Sequence, residues 1–117
     1  MKTKQLCFAT DLKDDPELIE QYKHYHKPGQ GFPEVARAIR EAGIIEMEIF
    51  SIANRLFMIM TVNDTYDPIV RQEQDANNKK VQEWEALMWK YQQALPWAKE
   101  GEKWLPLENI FTLSEQP

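Results

Sequence analysis

Hydrophobic and polar positions alternate over residues 3–12, with Leu6, Phe8 and Thr10 on one side and Cys7 and Ala9 on the other. That period of two predicts a strand buried on one face and partly covered on the second. Asp14-Asp15-Pro16-Glu17 then carries the signals of a helix start: a capping aspartate, a proline in the first turn and an acid at the positive end of the helix dipole. A helix is expected from about residue 16 to 26, ending before the Pro28, Gly29 and Gly31 of the next loop. Pro33-Glu34 opens a second helix with Val35, Ile39 and Ala42 on one stripe, closed by Gly43. Residues 44–52 and 55–63 follow as two strands of a hairpin about Ala53-Asn54. Residues 66–76 form a short, polar, helical or irregular stretch interrupted by Pro68. A long helix is expected from about 77 to 95, stopped by Pro96, and Ile110-Phe111-Thr112-Leu113 closes the series as a short strand.

The order strand, helix in two pieces, strand, strand, helix, strand is the α+β ferredoxin-like βαββαβ pattern, an antiparallel sheet with helices packed on one face. No repeat or linker divides residues 1–117, so one domain is expected. Helices cover one face of such a sheet only. The hairpin places apolar residues such as Ile45, Met47, Ile49, Phe57 and Ile59 where they would line the other face. A second copy of the sheet is the simplest cover, and a homodimer through that face is expected.

Composition narrows the chemistry. Fourteen Lys and Arg against 19 Asp and Glu leave a formal charge of −5, which argues against a nucleic-acid partner. No run of about 18 apolar residues exists to cross a membrane, and the first residues do not read as a signal peptide. Cys7 is the one cysteine, so neither an internal disulfide nor a cysteine zinc cluster is available, and a reducing, cytoplasmic compartment is expected. His24 and His26 stand two apart, a spacing that turns them to different sides of a helix and does not suit metal ligation. Gly29-Gln30-Gly31 lacks the lysine and the strand-to-helix setting of a phosphate loop.

Two features remain. Tyr22 and His26 lie four residues apart, one turn along the same helix face. They either finish the apolar stripe begun by Leu18 and Ile19 or present a phenol and an imidazole together to a hydroxyl-rich ligand, the imidazole titrating near neutrality. On the later helix Val81, Trp84, Met88, Tyr91 and Leu95 share a core stripe while Trp89 is turned away from it. An indole there meets a ligand, a loop or a partner subunit; indole faces stack well on sugar C–H faces.

These residues carry a resemblance. Tyr22-Lys-His-Tyr-His26, Pro28 and Phe32-Pro33-Glu34 ahead of a helix ending at Gly43 resemble the start of the L-rhamnose mutarotase family. Met88-Trp89-Lys90-Tyr91, Leu95-Pro96 and the closing Glu108-Asn-Ile-Phe-Thr-Leu segment resemble that family's helix and C-terminus. The resemblance implies a dimeric ferredoxin-like α/β barrel that interconverts the α and β anomers of a deoxy sugar without metal or cofactor. It places the proton donor on His26 and a sugar-contacting tyrosine on Tyr22. The family's strand tyrosine and helix tryptophan pair fall on Met47 and on Met88-Trp89, so one tyrosine and one tryptophan are replaced by methionine. Trp89 is then expected as a stacking floor, with Met88 and Met47 as apolar walls near the sugar's methyl group. The Pro28–Pro33 loop is about two residues longer than the family's. These departures leave the sugar open between L-rhamnose and L-fucose. The competing class is a dimeric barrel of the same topology acting as a small-ligand binding module or a cofactor-free monooxygenase.

Overall fold

The computed structural model describes residues 2–117. β1 (Thr3–Leu12) lies at the centre of the sheet, antiparallel to β3 (Arg55–Asn63), which pairs in turn with β2 (Ile44–Ile52). The order is β2-β3-β1-β4, the ferredoxin-like arrangement expected from the element order. Alternation on β3 buries Leu56, Met58, Met60 and Val62 in one row, beneath the helices. Fully burying one such side chain stabilises the fold by about 1.5–3 kcal/mol.

α1 (Pro16–Tyr25) starts where expected: the Asp15 carboxylate accepts from the backbone N–H groups of Glu17 and Leu18 at 2.9 and 3.2 Å. α2 (Pro33–Glu41) follows, and Gly43 makes the turn into β2 with a φ of +95°. A Cβ there would stand 2.6 Å from the Asn63 side-chain oxygen, so both backbone and space require glycine. At the hairpin tip Ala53 takes a φ of +50°, and Asn54 ties the turn to β1 by donating its side-chain N–H to the Leu12 carbonyl at 3.0 Å.

Several sequence expectations are corrected. A β-bulge between Ile44 and Glu46 pushes Ile45 out of register, so Ile44 and Met47, three apart, both face the helices. Met47 and Ile49 therefore pack under the helices rather than on the open face. That face instead presents Phe50 and Ile52 of β2 with their partners Phe57 and Arg55 of β3, and Ile59 opposite Glu48. The expected long helix is shorter than 77–95. The helical or irregular stretch before it is α3 (Pro68–Ala76), a regular helix capped by Asp67, and the long helix itself is α4 (Lys79–Trp89), with Asn78 as its cap.

α4 ends six residues before Leu95 because the chain turns to pair with the edge of β1. Gln92 and Gln93 form β4 opposite Leu12 and Asp11, and Lys13 N–H donates to the Tyr91 carbonyl at 2.8 Å. Tyr91 and Leu95 are buried, as the stripe required, but from outside the helix. The strand expected over residues 110–113 is absent. β5 is Leu105–Pro106, pairing with Phe8 and Ala9. Beyond it the Asn109 side chain accepts from Phe111 N–H at 3.0 Å and bends the chain away from β1, into a single 3₁₀ turn at Leu113–Glu115.

Candidate functional site

Between the sheet and the helices lies a cavity of about 620 Å³. That is within the size range of small-molecule sites, roughly 300–1,000 Å³. Phe8 of β1, Met47 and Ile49 of β2 and Met58 and Met60 of β3 make one wall apolar. Facing them, Tyr22, Tyr25 and His26 come from α1, Arg71 and Asp75 from α3, Trp84, Glu85 and Met88 from α4, Gln92 from β4, and Lys103 and Trp104 from the segment between β4 and β5. α2 adds Val35, Ala36 and Ile39 and α4 adds Val81 on the helix side, so the lining is mostly apolar with a few polar groups converging on it.

His26 is the C-cap of α1, where the helix has run out of partners for its last carbonyls. Its Nδ1–H donates to the Tyr22 carbonyl at 2.7 Å. A carbonyl oxygen only accepts, so Nδ1 carries hydrogen and the neutral ring leaves Nε2 as a bare acceptor. The residue is exposed overall. Its ring packs against Tyr22, ring centroids 4.3 Å apart, and against the Trp84 indole at 5.5 Å. Burial lowers the imidazole pKa below its ordinary value, and the bond to the Tyr22 carbonyl opposes this only in part. The ring is therefore neutral at pH 7.

Tyr22 is buried, and its hydroxyl accepts a 3.4 Å hydrogen bond from the Gln92 Nε2–H. Burial pushes its phenol up to about 12, with the Glu85 charge adding to the shift and the Gln92 bond opposing it. Tyr22 thus stays a neutral hydrogen-bond donor. On α3, the Asp75 carboxylate lies 3.4 Å from Arg71, yet burial, ahead of the opposing Arg71 charge, raises its pKa. The Lys103 ammonium bonds Glu85 Oε2 at 2.8 Å.

Of the residues expected at the site, Tyr22, His26, Met47 and Met88 line this one cavity. Trp89 does not. It is 39% exposed, and its ring lies 4.8 Å beneath the Lys103 ammonium. The indole facing the imidazole belongs to Trp84, which the sequence stripe had assigned to the core. α4 carries Trp84 and Met88 one turn apart toward the cavity and turns Trp89 outward. Glu85, Gln92, Asp75 and Lys103 had no signal in the sequence, since a charged or amide side chain at those positions reads as a solvated surface. His24 lies outside the cavity lining, against Tyr25.

Comparison with known proteins points to one family. The family model described as L-rhamnose mutarotase matches residues 5–113. The L-fucose mutarotase of Xanthomonas campestris pv. campestris is 47% identical over 115 residues, covering 98% of this chain and 92% of its own length. A UPF0734 protein of Dictyostelium discoideum is 37% identical, covering 94% and 90%. The crystal structure of an L-rhamnose mutarotase from Formosa agariphila superposes with a TM-score of 0.68 at 26% identity, covering 94% of this chain and 98% of that one. The chain belongs to the L-rhamnose mutarotase family of sugar isomerases.

Proposed function

We propose that this protein interconverts the α and β anomers of a 6-deoxy hexose, L-fucose ahead of L-rhamnose, with His26 as the acid–base group. The observation that carries the reading is the bare Nε2 of His26, beside the Tyr22 phenol, in a mostly apolar cavity with a few convergent polar groups. The sugar preference rests on the 47% identity to the Xanthomonas L-fucose mutarotase. Met47, Met58 and Met60 offer a soft apolar bed for the C6 methyl group, and Trp84 gives an indole for the sugar's C–H face.

The resemblance placed a proton donor at His26; the tautomer makes it a base first. Nε2 takes the proton of the anomeric hydroxyl as the C1–O5 bond breaks, the C1 carbonyl forms and O5 takes a proton from a second donor. Rotation about C1–C2 turns the other carbonyl face toward O5. On closure the imidazolium returns its proton to the carbonyl oxygen, so His26 is base on opening and acid on closing. A positioned acid–base group contributes about 10²–10⁴-fold, enough for a reaction that also proceeds in water.

The reading extends to assembly. Phe50, Ile52, Phe57 and Ile59 form an apolar patch on the face opposite the helices, and Ile110, Phe111 and Leu113 stand exposed at the end of the chain. A second copy, related by a two-fold axis, would cover the sheet patch. The test of activity is saturation transfer between the α and β anomeric proton signals of L-fucose and L-rhamnose. Exchange above the buffer rate, faster for L-fucose, is expected; exchange at the buffer rate for both sugars overturns the reading.

A further inference from the structure

A base alone leaves ring opening half finished. As C1–O5 breaks, its electron pair goes onto O5, and that oxygen needs a proton from a group other than His26. We propose that Lys103 is that acid, and that Glu85 holds it in place. The proposal rests on the mutarotase reading of the cavity and adds to it a residue from outside the sheet and helices.

Lys103 stands on the segment that runs from β4 across the cavity to β5. Its side chain is only 13% exposed, and lysines rarely sit so deep without a partner. The ammonium has three N–H donors. One goes to Glu85 Oε2 at 2.8 Å, and the Trp89 ring, with its centroid 4.8 Å away, takes the charge on its face. Among the described residues no third acceptor is within hydrogen-bond reach, so a donor is left for a ligand. Glu85 follows Trp84, whose indole is 5.5 Å from the His26 ring, and both Glu85 and Lys103 line the cavity that holds His26.

Several other polar groups of the cavity are already engaged or exposed. The Tyr22 hydroxyl is buried and already takes the Gln92 N–H. Arg71 does not surrender a proton in a protein, and Asp75 is turned to Arg71 at 3.4 Å. Lys27 lies on the loop after α1 and is exposed.

The step balances without a co-reactant. The anomeric hydroxyl gives its proton to His26 Nε2, C1–O5 breaks, and O5 takes a proton from the Lys103 ammonium. The open-chain aldehyde then faces an imidazolium and a neutral amine. On closure O5 adds to the other face of C1 and returns its proton to the Lys103 amine, while the carbonyl oxygen takes the proton from His26. Both side chains end as they began. Trp89 acquires a role here that its position off the core stripe left unexplained: it is a positioning residue beneath the ammonium.

Lys103→Arg separates proton delivery from charge and latching. Arginine keeps the cation, the pairing with Glu85 and the contact with Trp89, but gives up no proton. In K103R we expect the melting temperature and the KM for L-fucose to stay near wild type, while kcat for anomer exchange falls at least about tenfold. Exchange in K103R within about twofold of wild type overturns the proposal. So does a pure rise in KM with kcat kept, the signature of a latch. If K103R does not fold, Lys103→Gln takes its place and is read on kcat in the folded protein: a fall of at least about tenfold supports the proposal, and a kcat within about twofold of wild type overturns it. Wild-type protein that exchanges neither L-fucose nor L-rhamnose overturns the proposed function itself, whereas wild-type exchange that survives in K103R overturns Lys103 alone.

Discussion

The imidazole of His26 is controlled by one backbone oxygen. The 2.7 Å bond to the Tyr22 carbonyl selects the tautomer, and burial against Tyr22 and Trp84 lowers the pKa, so both effects leave Nε2 free at neutral pH. The sign of the pH dependence follows. Protonation blocks Nε2, so exchange should rise with pH to a midpoint below the ordinary histidine value of about 6.5 and be flat through neutrality. Stability moves the same way. Because the folded pKa is depressed, the unfolded chain binds the proton more readily, and the contribution present above about 6.5 is lost as pH falls through the folded value. Saturation transfer across pH 5–8 checks the profile; a rate that falls as pH rises would make His26 the initial acid instead. His26→Ala should lower exchange at least about tenfold and His24→Ala should leave it nearly unchanged. The Tyr22–His26 pair could be found from sequence because a spacing of four on a capped helix fixes their common side. Trp84 and Trp89 could not be sorted in the same way. Periodicity tells which side chains share a face, but not whether the face meets a packed core or a cavity.

At the scale of elements, local rules placed the chain's starts better than its ends. Asp15, Asp67 and Asn78 each accept from the first backbone N–H groups of the helix that follows, and the sequence announces such caps with short polar residues and, for α1 and α3, with a proline in the first turn. Asp15→Ala removes two charge-assisted bonds from α1, which carries Tyr22 and His26 at its far end. Urea unfolding should show a loss of about 1 kcal/mol, with exchange in the folded variant close to wild type, since the cap lies at the opposite end of the helix from His26. A drop in exchange without a drop in stability would show that the cap tunes the site. Ends depend on tertiary pairing. α4 stops at Trp89 because Gln92 and Gln93 find the edge of β1, a partner some eighty residues earlier that no local signal encodes. The 110–113 segment failed as a strand for the converse reason: its apolar residues suit a strand, but β4 and β5 already occupy the β1 edge along Phe8 to Leu12 and the Asn109 turn leads the chain away.

At the scale of the whole molecule, an apolar surface remains that the chain does not cover by itself. Phe50 is 51% exposed and Ile52 69%, cross-strand from Phe57 and Arg55, while Ile110 is 86% exposed and Phe111 63%. Single exposed apolar residues are common on monomers, but a contiguous patch of them on one sheet face marks an interface. The chemistry of the patch narrows the partner. Glu46 and Glu48 lie on the same face as Phe50, so the surface is apolar at the hairpin tip and acidic further along β2. A strongly acidic partner is thereby disfavoured. A two-fold axis through the apolar end would bring Phe50 and Phe57 of each copy together and leave the acidic ends apart, in solvent. Sedimentation at micromolar concentration should give roughly twice the 13.8 kDa mass of one chain. Phe50→Asp places a charge at the centre of the patch without touching the cavity side of β2, since Met47 and Ile49 point the other way. It should shift the protein to monomer with its circular dichroism intact. A wild-type protein that sediments as a monomer, or a Phe50→Asp variant that keeps the doubled mass, overturns this assembly.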